Sequence, residues 1–447
     1  MMKVYLETYG CQMNEYDSEL IRSILTSQNY ELVQAKDSAD VVLLNTCAIR
    51  ENAHQKIYHR LDELKGQKRR GEIQVVGVLG CMAQNLRKDL PQAAPIVDLV
   101  AGPDSYKRLP HLIEAALDRD TVGFDFSLSE FETYSDIAPE RVPGVNAWIA
   151  IMRGCDNFCT FCVVPYTRGR ERSRSPESIV NEANSIVAQG FKQITLLGQN
   201  VNSYAHDGSD FADLMEHVAK VPGLPRVRFT SPHPKDFPRK LLHLISEYPN
   251  LCNHIHLPLQ AGNDAVLERM NRTYTKKEFL DLVDEIRTII PDVSLTTDVI
   301  CGFCGESDDD FADTVEVMER VEFDSAFIFK YSERKNTIAS RKYPDDVPDE
   351  VKTERVMQLN ALQRGISRKR NQAEVGKTLE VLIETKSKKN DKEWLGRSDQ
   401  NKGVVFSAAQ KKPGDFAKVL ITEASTNTLR GKLVNEAIHL PIVVNGH

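Results

Sequence analysis

Three cysteines lie within eight residues in the middle of the chain: Cys155, Cys159 and Cys162, in the run Met152-Arg153-Gly154-Cys155-Asp156-Asn157-Phe158-Cys159-Thr160-Phe161-Cys162. Thiolates this close converge on one small inorganic centre. Three of them on a four-iron cluster leave one iron open to another ligand. The competing chemistry is a zinc knuckle, which needs a distant fourth ligand. A second trio, Cys11, Cys47 and Cys81, is scattered, so its spacing is silent. Its placement is not. Each cysteine follows a strand-like run: Val4–Thr8, Asp40–Asn45 and Ile73–Leu79. In a parallel sheet all three would share the carboxyl edge, where such folds bind ligands. Gly10 and Gly80 precede two of them and permit close backbone approach. The plainer alternative is three unrelated half-buried thiols.

Read as ligands, the two trios hold two [4Fe-4S] clusters, each with an open iron. An open iron takes the amino and carboxylate groups of S-adenosylmethionine, and an electron then breaks the carbon–sulfur bond to give a 5′-deoxyadenosyl radical. One cluster would make the radical and the other would hold or donate sulfur. Of the other cysteines, Cys252 reads as core. Cys301 and Cys304 form a Cys-x2-Cys pair without a second pair, and read as packing or loop thiols. Nine cysteines is an odd number, and Met1–Glu7 reads as a strand, not a leader. Disulfides are therefore not expected.

The elements that must position these residues fall into three α/β and β blocks. The chain has 447 residues, 41% apolar and 27% charged, which suits about three globular domains. Residues 1–118 alternate strand and helix signals (helices at Glu15–Gln28 and Glu51–Arg70) and predict a doubly wound parallel sheet. Residues 119–140 read as a linker. From 141 to 371 the alternation restarts, with strands expected at Ile149–Met152, Gln193–Leu197, Arg226–Thr230, His254–Leu257, Val293–Asp298 and Ser325–Phe329. Helices are expected at Pro176–Gln189, Lys276–Ile290 and Asp349–Glu374. This is a partial (βα)6 barrel, with Cys155 just after its first strand, at the end where barrels place chemistry. Residues 374–437 carry short strand runs between Gly- and Lys-rich turns and predict a small all-β barrel. Polar and glycine residues at later strand ends are candidate cofactor contacts: Gln199, Asn200, Ser231, His233, Gln260, Asp298, Gly302 and Glu306.

Formal net charge is -7, yet residues 371–447 hold 12 Lys and Arg against 9 Asp and Glu. An RNA surface is therefore allowed, provided it is local. Arg168, Arg170, Arg172 and Arg174 follow the cysteine loop and are candidate phosphate contacts, against the alternative of a solvated charged loop. Lys386, Lys388, Lys389, Lys392, Arg397 and Lys402 are candidates in the terminal block, and Trp394 is a base stacker or a core aromatic. No apolar run is long enough to span a membrane.

The cysteine motif resembles the radical S-adenosylmethionine superfamily. Tyr9-Gly10-Cys11-Gln12-Met13-Asn14, Leu44-Asn45-Thr46-Cys47-Ala48-Ile49-Arg50, Gly80-Cys81 and Pro165-Tyr166-Thr167-Arg168-Gly169 resemble the methylthiotransferase family within it, over residues 2 to about 437. The resemblance implies that Cys11, Cys47 and Cys81 ligate an auxiliary cluster, that Cys155, Cys159 and Cys162 ligate the radical cluster, and that the terminal block is a TRAM RNA-binding domain. It implies two S-adenosylmethionine molecules, one methylating a cluster sulfur and one yielding the radical. The implied product is a methylthio group on carbon 2 of an isopentenylated adenosine at position 37 of tRNA. The expected partners are the tRNA anticodon loop and an electron donor such as flavodoxin or ferredoxin, for a monomer in the cytoplasm. Cys301 and Cys304 depart from the family pattern, which has an aliphatic residue and a proline there. Two other functions stay open at this point: a methylthiotransferase acting on a ribosomal-protein side chain or a different adenosine modification, and a non-catalytic iron–sulfur or zinc RNA-binding protein.

Overall fold

The computed structural model describes residues 1–35, 38–48, 51–118 and 122–434, without the side chains of 51–53. Ile49 and Arg50, the first residues of the expected linker (119–121) and the end of the expected terminal domain (435–437) lie outside the described residues.

Six parallel strands form the first sheet, in the order Glu31–Leu32, Lys3–Thr8, Val41–Thr46, Val75–Gly80, Leu99–Ala101, Gly123–Asp125. The two central strands are buried at every position, which is why they read as unbroken apolar runs. Their alternate residues feed two cores. Val41 and Leu43 join Leu20 and Ile24 of the helix Gln12–Ser27. Val42 and Leu44 join Ile57, Leu61 and Leu64 of the helix Glu51–Arg69. The sixth strand comes from the stretch read as a linker. At three residues it is too short to show a period in sequence.

The middle of the chain builds two three-stranded parallel sheets. The first has the order Arg226–Phe229, Gln193–Leu197, Asn146–Ala150, and the second His254–His256, Ser294–Cys301, Ser325–Lys330. They meet at a parallel bridge between Val227 and Leu251, giving a half-open barrel. The first strand starts earlier than expected. Met152 and Arg153 leave the sheet and pair antiparallel with Ser173 and Arg172, so the arginine run folds back across the barrel mouth. The inward face of the second sheet is polar and partly open, while Leu295, Val299 and Cys301 pack outward into the helical core.

The helix Asp349–Gln372 leads to a closed five-stranded barrel spanning 378–433. This barrel sits at the strand-start end of the half-open barrel. Arg226 donates to the carbonyls of Arg397 (2.7 Å) and Glu380 (3.0 Å), and Arg228 to that of Ser398 (2.9 Å). Lys402 donates to Asp324 at 2.7 Å and is buried there. As a correction, Lys402 therefore binds its own chain and has no charge free for a phosphate. Trp394 is also internal. Its Nε1 donates to the Ala408 carbonyl and its ring lies in the barrel core. Among the described residues no helix is long and apolar enough to cross a membrane.

Candidate active site

The loop Cys155–Cys162 hangs from the first barrel strand and is pinned from below. Thr160 N–H donates to the Met270 carbonyl and its hydroxyl to that of Arg269. Asn271 donates to the carbonyls of Asn157 and Phe158. Gly154 has φ +79, and a Cβ there would strike the Arg170 carbonyl, so only glycine lets the arginine strand cross at this point. Burial pushes the thiols of Cys155 and Cys162 up to about 12. Such thiols stay protonated until a metal takes the proton's place. The buried guanidinium of Arg272 lies 3.4 Å from Cys159 Sγ and also holds the Pro258 carbonyl.

Cys11, Cys47 and Cys81 do come together. The Cys47 side chain hydrogen-bonds that of Cys11, and with Arg168 it overcomes burial and holds the Cys11 thiol down to about 6. Two glycines make the crowding possible. A Cβ on Gly10 (φ +141) would sit 2.7 Å from Cys47 Cβ, and one on Gly80 (φ +86) 2.6 Å from the Thr46 carbonyl. Asn14 ties the loops, donating to Asn45 Oδ1 and to the Thr46 carbonyl. Among the described residues no three His, Cys, Asp or Glu side chains converge tightly enough to hold a lone ion. Three thiols beside buried guanidinium groups suit an anionic cluster held by three thiolates, whereas a zinc site calls for a fourth ligand.

The loops that carry the two trios touch. Val163, next to Cys162, packs on Cys81 and Ala48, and the short helix Val164–Arg168 lies against the helix that begins at Cys81. Three of the four arginines fill this interface, and for Arg168, Arg172 and Arg174 the reading as phosphate contacts is corrected. Arg168 donates to Asp17 at 2.8 Å and its Nε lies 3.2 Å from Cys81 Sγ. Arg172 forms two hydrogen bonds with Asp104, and Arg174 pairs with Glu182 at 2.6 Å. All three are buried. Only Arg170 faces solvent, paired with Asp156.

The remaining candidates divide. Gln199 Oε1 and both amide atoms of Asn200 are buried at the mouth with no partner, as expected where a polar ligand belongs. Ser231 and Gln260 have φ +60 and +65, strain of the kind found at ligand clamps. His233 stacks edge-on against Tyr274, and burial, then Arg272, lowers its pKa to about 3, so it is neutral. Gly302 has φ +72, and its N–H donates to Glu306, which also takes a hydrogen bond from Arg355. Glu306 is thus a correction: its carboxylate orders the loop and does not face the mouth as a free ligand. Asp298 meets His256 at 3.3 Å, and His256 meets Thr296 at 3.0 Å and the half-exposed ring of Phe327. Arg272, His256 and Phe327 are absent from the reading of the sequence. Arg272 reaches Cys159 from 113 positions away, and His256 and Phe327 meet across the second sheet, proximities that only the tertiary fold creates. Cys252, Cys301 and Cys304 are buried in packing positions, as expected.

A cysteine loop at the mouth of a half-open parallel barrel defines the radical S-adenosylmethionine class, and residues 149–318 match the Radical SAM superfamily. Residues 3–102 match the "Uncharacterized protein family UPF0004" and residues 372–434 the TRAM domain. The tRNA-2-methylthio-N(6)-dimethylallyladenosine synthase of Prosthecochloris aestuarii is 47% identical over 96% of this chain and 98% of its own. The protein of the same name from Porphyromonas gingivalis is 46% identical over 97% and 95%. The chain belongs to this synthase family. Among solved structures, the radical S-adenosylmethionine methyltransferase TsrM of Kitasatospora setae, with cobalamin and [4Fe-4S] cluster bound, shares the fold at TM-score 0.54 and 15% identity, over 74% of this chain and 75% of its own. As a member of its family the protein is an enzyme that uses S-adenosylmethionine and [4Fe-4S] clusters.

Proposed function

We propose that this chain places a methylthio group on carbon 2 of N6-(dimethylallyl)adenosine at position 37 of tRNA. The observation that carries the reading is the contact between the loops of the two thiol trios, where Val163, next to Cys162, is buried against Cys81. Cys155, Cys159 and Cys162 would hold one cluster, and Cys11, Cys47 and Cys81 the other. When bound, they supply the electron that splits one S-adenosylmethionine and the sulfur that a second one methylates. The chain itself holds the reactants. Gln199 and Asn200 offer unmet polar atoms to the cofactor. Phe327 offers an open ring to a splayed base, which is how proteins read nucleotides from RNA loops. The buried arginine interface keeps water from the space between the trios.

The same reading divides the chain into a sulfur-holding domain at 1–118, a linker at 119–140, a radical core at 141–371 and an RNA-binding barrel at 374–437. It takes the anticodon loop as the RNA target and flavodoxin or ferredoxin as electron donor, for a monomer in the cytoplasm. Anaerobic reconstitution tests it. The expected result is about eight irons per chain, reductant-dependent 5′-deoxyadenosine, and methylthiolated adenosine in digests of isopentenylated tRNA. Stoichiometric zinc without cofactor cleavage would overturn it.

A further inference from the structure

We infer that Arg168 is the positioning residue that sets the charge of the Cys11–Cys47–Cys81 centre, a role that rests on the reading of this trio as ligands. Arg168 belongs to the half-open barrel, yet it reaches into the other domain. Its Nε lies 3.2 Å from Cys81 Sγ, 87 positions away in sequence, and its charge acts on Cys11 as well. It is held in place from its other nitrogen by Asp17, at 2.8 Å. Asp17 is shared, because Arg153 takes its second oxygen at 2.5 Å.

The local charge does not balance within the protein. Three buried guanidinium groups, on Arg153, Arg168 and Arg172, face two buried carboxylates, on Asp17 and Asp104. Arg153 Nε and Nη1, Arg168 Nη1 and Arg172 Nε are buried without a hydrogen-bond partner. Three buried cations on two carboxylates leave one positive charge uncompensated, which is costly, so this interface is built to face an anion. A four-iron cluster on three thiolates is one. A hydrogen bond and a positive charge at a ligating sulfur favour the reduced form of such a centre and raise its potential. Each trio thus has its own buried arginine at a sulfur, Arg168 at Cys81 and Arg272 at Cys159, so Arg168 can be varied without touching the barrel centre.

The test uses the full chain with Cys155, Cys159 and Cys162 all replaced by Ala, reconstituted anaerobically, so that one centre remains. Iron is counted first. About four irons are expected, and their absence sinks the ligand reading itself, not the role of Arg168. Potentiometric titration followed by electron paramagnetic resonance then reads the centre. Arg168→Gln should lower the equilibrium constant for reduction about tenfold, ~59 mV for one electron. Arg168→Lys keeps the charge and should recover at least half of that shift. Asp17→Asn strengthens the unbalanced positive field and should shift the potential upward, which decides the matter if the Gln variant does not hold iron. An unchanged potential in iron-replete Arg168→Gln, a Lys variant no better than Gln, or a downward shift in Asp17→Asn would each overturn the inference.

Discussion

Arg172 and Asp104, 68 positions apart, meet through two hydrogen bonds of 3.0 and 3.2 Å, both side chains buried between the first sheet and the barrel mouth. Removing one partner strands the other charge. Arg172→Ala should therefore lower the unfolding free energy by about 3–5 kcal/mol. The salt dependence of tRNA binding should stay the same, since no phosphate contact is lost. Urea unfolding and a binding series across salt concentration check the two halves of this prediction. A reduced salt slope with intact stability would restore the phosphate-contact reading of this arginine.

The two trios should be separable by substitution. Cys155→Ala should abolish cleavage of S-adenosylmethionine. Cys47→Ala should leave some uncoupled cleavage but no methylthiolated product, with iron falling from about eight to about four. Gly80→Ala should resemble Cys47→Ala, because its Cβ would lie 2.6 Å from the Thr46 carbonyl at φ +86, a strain of roughly 1–3 kcal/mol placed on the thiol cradle. Iron analysis and chromatography of 5′-deoxyadenosine read all three variants.

In the terminal barrel the lysines should sort by exposure. Lys388 and Lys389 stand in an exposed turn, so changing either to Gln should weaken tRNA binding across sequences and reduce the salt slope by roughly 1. Lys402→Gln acts elsewhere. It breaks the buried pair with Asp324 and should loosen the docking of the terminal barrel, seen as faster proteolysis between 371 and 378.

Glu19 gives a pH prediction. Burial raises its pKa to about 7, against the lowering effect of Arg141. An acid with a raised native pKa stabilises the fold while protonated, and that contribution fades as pH rises from 4.5 through 7. Glu19→Gln should therefore be more stable than the parent at pH 8 and equal to it near pH 4. Thermal or urea midpoints at the two pH values decide it, and equal stability at pH 8 would contradict the assignment.

Much of this protein was legible in its residues because the signals are local. Cys155, Cys159 and Cys162 announce a shared centre by spacing alone. The runs before Cys47 and Cys81 open on unbroken apolar residues because both faces of those strands are covered, while the run before Cys11 alternates, with Val4 and Leu6 buried, and the three parallel strands place distant thiols on one edge. The glycines at 10 and 80 belong to the same logic. What the sequence does not carry is the fate of a charged side chain. Arg168, Arg172 and Arg174 look like a phosphate-binding run, and only the fold-back of Met152–Arg153 onto Arg172–Ser173 buries them against Asp17, Asp104 and Glu182. Lys402 meets Asp324 for the same reason. Hydrophobic burial follows a short period that a sequence displays. The pairing of a charge depends on a partner dozens of positions away, which only the tertiary structure supplies.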